Sequence, residues 1–279
     1  MGVEVVGGLL SGSLALLADA GHMLTDTGAL TLAWLAFVVA RRSADGRRSF
    51  GYARFEVLAG LVNGLVLVAV VGFIVLEAAE RITAPTPVLA APMLAVAVLG
   101  LVVNLLAFRL LHGDSDHVNV RGALAHVIGD LLGSVAAIVA ALVILATGWT
   151  LIDPLLSLLV AALVLVSAVR LLRETAHILL EGTPSEIDTE RVKVALVDAV
   201  PGIRDVHHVH VWSLTSGRHV ATLHLRLEED TDGPAVLGAA KARLAEGFGL
   251  DHSTIQVCGD VCPDDAPAAT GGTHAHHRH

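Results

Sequence analysis

Two pairs of ionisable residues with the same spacing lie in the most apolar part of this chain. The stretch "ADAGHMLTDTG" holds His22 four residues before Asp26, and "GALAHVIGDLLGS" holds His126 four residues before Asp130. Residues four apart lie on one face of an α-helix, about 6 Å apart along its axis. Two facing helices of this kind would offer two imidazole nitrogens and two carboxylate oxygens, a ligand set that suits tetrahedral Zn²⁺.

A histidine–aspartate pair inside an apolar helix has a second interpretation, which is hydrogen bonding to neighbouring helices. Ionisable side chains within a membrane are costly, and they usually face the bundle interior or a water-filled path. Because the same pair occurs twice at the same spacing, in two separate apolar segments, we favour a metal site over a purely structural role.

The composition indicates that much of the chain lies in lipid. Of 279 residues, 54% are hydrophobic and 16% are charged, and the mean hydropathy is +0.70. A soluble domain would carry about 25% charged residues. A helix needs about 20 apolar residues to cross a bilayer. The pattern predicts a transmembrane domain over residues 1–180, with an apolar stub at 1–10 and full segments at 14–40, 55–80, 88–110, 121–147 and 151–172.

The arginines predict the orientation of these segments. The loop after segment 14–40 carries five arginines, Arg41, Arg42, Arg47, Arg48 and Arg54. Short loops rich in Lys and Arg stay in the cytoplasm, so we expect a multi-pass protein of the cytoplasmic membrane with a cytoplasmic C-terminal domain. With both termini inside, the stub is expected to be a truncated first helix of a six-helix bundle. Asp153, followed by Pro154, is expected to cap the last segment.

The polar residues 181–262 predict a small cytoplasmic α+β domain with a ferredoxin-like order of elements. "DTERVKVALVDAVPG" and "PAVLGAAKARLAEGFGL" have helical periodicity, whereas "VHHVHVWSLTSG", "RHVATLHLRLEE" and "HSTIQVC" indicate strands. The order is therefore helix–strand–strand–helix–strand. Residues 263–279, "PDDAPAATGGTHAHHRH", are expected to be a disordered, histidine-containing tail.

Histidines in the first predicted strand raise the possibility of a second metal site. Alternation on a strand places His208 and His210 on one face and His207 on the other. This spacing suits a metal site on a sheet surface, although solvated surface histidines explain it too. Cys258 and Cys262 form a CxxxC, one residue wider than the redox CxxC. Two ordinary reduced thiols are an equally good interpretation of that pair.

Several of these stretches resemble a known family. "SGSLALLADAGHMLTD" and "RGALAHVIGDLLGSV" are similar to the second and fifth spans of the cation diffusion facilitator family, in its zinc-transporting branch, "RRSFGYARFEVLAGLVN" to its second-to-third loop, and "VHHVHVWSLTSG" to its cytoplasmic domain. The resemblance implies six transmembrane helices, a homodimer and a transport site of His22, Asp26, His126 and Asp130. It also implies a cytoplasmic metal site near His208, His224 and Cys258, with His210 and Gln256 close by, and an ion pair between Arg54 and Glu181.

The resemblance further implies the activity. We expect efflux of a divalent cation, most simply Zn²⁺, in exchange for H⁺ by alternating access about a midplane site. Imidazole must be neutral and carboxylate ionised to bind metal, so binding releases protons. Zn²⁺ would be the transported substrate and a regulatory ligand of the cytoplasmic domain, and Cd²⁺ or Co²⁺ would accept the same donors. The expected partners are metal ions, protons, the lipid bilayer and a second copy of the chain, with no nucleic acid.

Two other classes of protein were weighed against a transporter. An intramembrane metalloprotease usually carries HExxH, with its Glu as general base, and leaves a coordination position open for water. HExxH does not occur in this sequence, and four symmetric donors favour a carrier site, so we expect no enzyme activity. A metal sensor that signals through its cytoplasmic domain is the other alternative.

Overall fold

The computed structural model of the protein describes residues 2–112, 118–259 and 262. Within the helices, the side chains at 3, 22, 26, 107, 110–112 and 118–129 lie outside that description. The chain divides into two compact units, one formed by the described residues of Met1–Val39 and Leu58–Arg173, the other by those of Ala40–Val57 and Glu174–His279.

The first unit is helical. Its elements are α1 (Gly2–Ser11), α2 (Leu14–Ala40), α3 (Phe55–Thr83), α4 (Ala90–His112), α5 (Val118–Thr147) and α6 (Ile152–Leu179). The last residue of α2, the first three residues of α3 and the last six of α6 belong to the second unit. Among the described residues, four stretches are long and apolar enough to cross a membrane, namely Leu14–Ala40, Phe55–Thr83, Asp130–Thr147 and Ile152–Leu179, while Ala90–Leu106 is a shorter apolar helix. The prediction of an α-helical membrane domain is confirmed.

Small side chains form the contacts between these helices. One buried cluster joins Ala15 of α2 to Ala97 of α4 and to Ala137, Ala140 and Ala141 of α5. Lipid provides little hydrophobic force between helices, so close approach of backbones over small residues is what stabilises such a bundle. The alanine-rich sequence of α4 and α5 therefore sets where the helix that carries Asp130 lies relative to its neighbours.

The second unit contains the predicted α+β domain. Its elements are α7 (Thr189–Ala199), β1 (Ile203–Thr215), β2 (Arg218–Leu227), α8 (Gly233–Phe248) and β3 (His252–Cys258). The sheet order is β1-β2-β3, with β1 antiparallel to β2 and β3 parallel to β2. The parallel pairing follows from the helical crossover α8, since parallel neighbours cannot be joined by a tight turn. The core consists of apolar side chains from both helices and all three strands, including Leu196, Leu223 and Leu244.

The arginine-rich segment Ala40–Val57 belongs to this second unit. The carboxylate of Asp45 accepts hydrogen bonds from the Tyr52 hydroxyl and from the backbone N–H groups of Arg47 and Arg48, each at 2.8 Å. The hydrogen bond from Tyr52 contributes most, and together these bonds hold the pKa of Asp45 below its usual value. The guanidinium of Arg54 lies 3.1 Å from the Glu181 carboxylate, so the structure contains the ion pair that the sequence led us to expect.

Candidate metal sites

The two histidine–aspartate pairs lie on α2 and α5. The backbone is helical through both pairs, so His22 shares a face with Asp26, and His126 shares a face with Asp130. The side chains of His22, Asp26 and His126 lie outside the described part of the structure. Asp130 is described and is buried, with 5% of its surface exposed.

The side chain of Asp19 on α2 lies against the backbone of α5 beside these pairs. A Cβ atom added at Gly133 of α5 would lie only 2.5 Å from Oδ1 of Asp19 of α2. Asp19 stands three residues before His22, and Gly133 stands three residues after Asp130. Because residues three apart are neighbours on a helix surface, the close approach lies one turn away from both pairs. Glycine at 133 therefore leaves the space that the Asp19 carboxylate occupies against α5.

Further polar side chains lie in the same region of the bundle. Glu4 of α1, Asp19, Asn104 of α4 and Ser134 of α5 are all buried. The Asn104 amide donates to the Ser134 hydroxyl at 3.5 Å, and a Cβ at Gly100 would meet the Glu4 carboxylate at 2.7 Å. Asp19 lies inside α2, beyond its first turn, so it does not cap a helix end. These groups form a polar layer next to the pairs within an otherwise apolar bundle.

The cytoplasmic domain contains a cluster of side chains that could hold a metal ion. Four residues, His207, His224, Cys258 and Cys262, each offer one ligand atom, and these atoms all lie within 4.8 Å of one another. Ligand atoms about 2.0–2.3 Å from a tetrahedral Zn²⁺ are separated by roughly 3.3–3.8 Å, so small side-chain movements would complete the site. An N₂S₂ donor set is one that zinc prefers in structural sites.

This cluster differs from the four residues expected from the sequence. His224 and Cys258 belong to it, but His207 and Cys262 take the places expected for His208 and His210. The cause is an irregularity in β1: the register with β2 shifts between His207 and His210, and His208 has a positive φ of 50°. A bulge breaks the alternation of strand faces, and His207 therefore lies opposite His224, with ring centroids 5.4 Å apart.

The residues displaced from the cluster line a separate cavity. His208 and His210 face a cavity of about 500 Å³, which Thr183, Thr189, Glu190 and Lys193 also line. His208 still stacks on His224, with ring centroids 5.0 Å apart. Lys193 and Glu190 form an ion pair at 2.6 Å within this lining, so their charges largely offset each other.

The thiols of the cluster are buried and hydrogen-bonded. Nδ1 of His224 lies 3.2 Å from Sγ of Cys262, and the Gln256 amide nitrogen lies 3.8 and 3.9 Å from the two sulfur atoms. Burial, and then the neighbouring Cys262, raise the pKa of Cys258 to about 11. Without a metal, Cys258 therefore remains a neutral thiol at cytoplasmic pH. The sequence signal that could have identified Cys262 is the CxxxC spacing itself.

A helical membrane domain followed by a small domain whose histidines and cysteines could hold a metal ion is the architecture of a class of membrane proteins that handle metal ions. Residues 1–180 match the family of cation efflux transmembrane domains, and residues 184–260 match the cytoplasmic domain of cation efflux proteins. The chain belongs to this cation efflux family, also called the cation diffusion facilitators.

Curated relatives match the chain over most of its length. It is 48% identical to the zinc transporter ZitB of Escherichia coli (strain K12), over 99% of this chain and 90% of the relative. It is 41% identical to the cadmium, cobalt and zinc/H(+)-K(+) antiporter of Bacillus subtilis (strain 168), over 91% of this chain and 83% of the relative. Among solved structures, the metal-bound C-terminal domain of the CzcD transporter from Cuprividus metallidurans is 33% identical to this chain. The match spans 25% of this chain and 97% of the solved domain, with a TM-score of 0.24.

Proposed function

We propose that this protein is an antiporter of the cytoplasmic membrane that exports Zn²⁺ from the cytoplasm in exchange for protons. The observation that carries the proposal is the close approach of Asp19 in α2 to Gly133 in α5, one turn from both histidine–aspartate pairs. It supports a single site built from His22, Asp26, His126 and Asp130. The names of the relatives, zinc transporters and a cadmium, cobalt and zinc antiporter, point to the same substrates.

The chemistry of the four side chains links metal to protons. Each imidazole must lose its proton, and each carboxylate must be ionised, before it can bind a dication. Metal entering from the cytoplasm would displace protons from the site. Protons entering from the opposite side would displace the metal, and they are favoured there when that side is more acidic. Histidine titrates near neutral pH, so a modest pH gradient is enough to shift its occupancy.

The cytoplasmic cluster would hold a second, non-transported zinc ion. His207 and His224 would supply nitrogen, and Cys258 and Cys262 would supply sulfur. Soft thiolate donors retain zinc tightly, which suits a resident ion better than one that must be released in each transport cycle. We propose that this ion stabilises the domain in a homodimer and makes transport responsive to cytoplasmic zinc. Cd²⁺ and Co²⁺ accept both ligand sets and are the expected alternative substrates.

Transport by purified protein in sealed lipid vesicles tests this proposal. With an imposed pH gradient, the wild type should move Zn²⁺ in one direction and protons in the other. His22→Ala and Asp130→Ala should abolish both fluxes while the protein stays folded, because each removes one of four donors. His210→Ala, which removes a histidine from outside both clusters, should transport as the wild type does. Wild-type rates in both site variants would refute the site, and zinc binding without any flux would favour a sensor.

A further inference from the structure

The first turn of α2 is held by a side chain from α6. The Asp153 carboxylate accepts hydrogen bonds from the Ser13 hydroxyl at 2.7 Å, from the backbone N–H of Leu14 at 2.7 Å and from that of Ala15 at 3.2 Å. Asp153 and Ser13 are fully buried, and Leu14 is 1% exposed. The sequence led us to expect that Asp153 would cap its own helix, but its side chain caps a different one.

This arrangement satisfies groups that would otherwise be unpaired within the membrane domain. The first N–H groups of a helix have no acceptor within that helix, and a negative charge is favourable at this end because of the helix dipole. The Ser13 hydroxyl itself accepts from the backbone N–H of Leu16 at 3.3 Å. Ser13 and Asp153 together therefore form a cap that joins α2 to α6. Both carboxylate oxygens of Asp153 accept hydrogen bonds from Ser13 and the first residues of α2, so the side chain is directed at the start of that helix.

Other elements hold the same turn between α1 and α2. The Arg81 guanidinium of α3 donates to the carbonyl of Gly12, and the backbone N–H of Leu89, just before α4, donates to the Ser11 carbonyl at 2.7 Å. Arg81, Leu89 and Asp153 thus all bond residues 11–15, the turn before α2 and its first two residues. We call this the outer end of α2, because it is the end remote from the arginine-rich segment 40–57.

Burial along α2 changes from this outer end onwards. Leu14 and Leu16 are each 1% exposed, whereas Leu24 is 57% exposed and Leu30 is 72% exposed. The helix is therefore fixed by packing and hydrogen bonds over its first two turns, while later turns present large apolar side chains outward. The position of the later residues depends on the angle that the outer end imposes.

The distance along α2 from the cap to His22 is long enough for a small tilt of the helix to displace a metal ligand. His22 lies nine residues after Ser13, which is about 13 Å along a helix, so a tilt of about 10° at the cap would move it by about 2 Å. This displacement equals a whole zinc–ligand bond of about 2.0–2.2 Å. A small change at the cap would thus be sufficient to separate His22 and Asp26 from the donors on α5.

We propose that Asp153 is a positioning residue for metal transport: by capping α2 from α6, it sets the angle of the helix that carries His22 and Asp26. The inference rests on the transport site proposed above. It requires that Asp153 acts on the affinity for zinc through α2, without contacting the metal. A residue that only stabilised the fold would change the amount of active protein and leave the affinity of each active molecule unchanged.

The KM for zinc and the maximal rate, measured in vesicles and normalised to folded protein, separate these two roles. Asp153→Asn keeps the shape of the side chain but replaces one acceptor oxygen by an NH2 group, which cannot accept the hydrogen bond from either Leu14 or Ser13. We expect its KM to rise by roughly 10- to 100-fold, the range found when residues that orient metal ligands are removed. Ser157→Ala is the matched control, because Ser157 is fully buried on α6 and its hydroxyl donates to the backbone carbonyl of Asp153, at 2.8 Å, rather than to α2. Its KM should equal that of the wild type.

A second pair of variants tests the same cap from the α2 side and serves if Asp153→Asn does not fold. Ser13→Ala removes the hydroxyl and should raise the KM, whereas Ser13→Thr keeps a hydroxyl and should restore the wild-type value. If the wild type transports zinc, and Asp153→Asn or Ser13→Ala lowers only the maximal rate and leaves the KM unchanged, the inference is overturned. If the wild type itself moves no zinc, it is the proposed function that fails.

Discussion

The Nδ1 atom of His224 lies 3.2 Å from the Sγ atom of Cys262, although the two residues are 38 positions apart in the chain. His224 is in the central strand β2, and Cys262 follows the end of β3, which pairs with β2 in parallel register. The register places Gln256 opposite His224 and Cys258 opposite Arg226. The sheet therefore brings the CxxxC and a strand histidine together without any contribution from the membrane domain.

Cobalt should report specifically on this cluster in the intact protein. The chain has two cysteines, and both belong to the cluster, so absorption from cobalt–thiolate charge transfer arises there and not at the transport site. We expect titration with Co²⁺ to produce such a band in the wild type. Cys262→Ser should remove most of its intensity, and His207→Ala should weaken the binding. His210→Ala should titrate like the wild type, and a loss of the band in that variant would show that the ligands are assigned wrongly.

The thiol of Cys258 should react slowly at neutral pH in the absence of metal. Burial raises its pKa to about 11, so only about one molecule in a thousand carries the thiolate at pH 8, against roughly one in four in an unfolded chain. Alkylation, located by mass spectrometry, should accelerate steadily between pH 8 and 11. The elevated pKa also means that this thiol stabilises the fold below its unfolded pKa, and that the contribution is lost as pH rises through about 11. The same labelling in denaturant is the control, and equal rates in both conditions would contradict the prediction.

Substitution of Gly133 should impair transport through the spacing of α2 and α5. In Gly133→Ala the added methyl group would lie 2.5 Å from Oδ1 of Asp19, and Asp19 is only 3% exposed, so either the buried carboxylate or α2 itself must shift. We expect transport to fall at least ~10-fold, because a displacement of about 1 Å at a reacting site can cost about 100-fold. Gly72→Ala is the control, since its methyl group would meet nothing within 4 Å. Wild-type transport by Gly133→Ala would mean that Asp19 can move aside.

The core of the cytoplasmic domain should be far more sensitive to truncation than its surface. Leu223, in the central strand, is fully buried among side chains of α7 and α8. Leu223→Ala should lower the free energy of unfolding by about 2–5 kcal/mol. Val257→Ala, at a position 46% exposed, should change it by less than about 1 kcal/mol. Scanning calorimetry of the full chain measures both, and equal transitions for the two variants would contradict this account of the core.

The sequence predicted the helices well because lipid imposes a simple length rule. The segment predicted at 14–40 coincides with α2, and the one predicted at 55–80 corresponds to α3, Phe55–Thr83. The last helix was underestimated: the prediction stopped at 172, whereas α6 continues to Leu179. Hydropathy marks where a helix leaves lipid, but "LRETAHIL" consists largely of good helix formers and continues the helix beyond that point.

The sites were predicted less evenly, for a physical reason. The transport pairs depend on helical periodicity alone, and the helices containing them are continuous; the four ligands themselves stay a prediction. The cytoplasmic cluster depends on which face of β1 each histidine takes, and the bulge at His208 alters that face. Nothing in the letters "VHHVHVW" marks a bulge. The cap on α2 could not be predicted from the sequence either, because Asp153 and Ser13 are distant in the chain and only the fold brings them together.

The convergence of both cysteines on one cluster has a consequence for the cell. A disulfide between Cys258 and Cys262 would occupy both sulfur donors, so the N₂S₂ set exists only where small-molecule thiols keep cysteines reduced. The bacterial cytoplasm is such a compartment, and the periplasm is not. The need for two reduced thiols therefore agrees with the membrane sidedness that the arginine distribution predicts from an unrelated property.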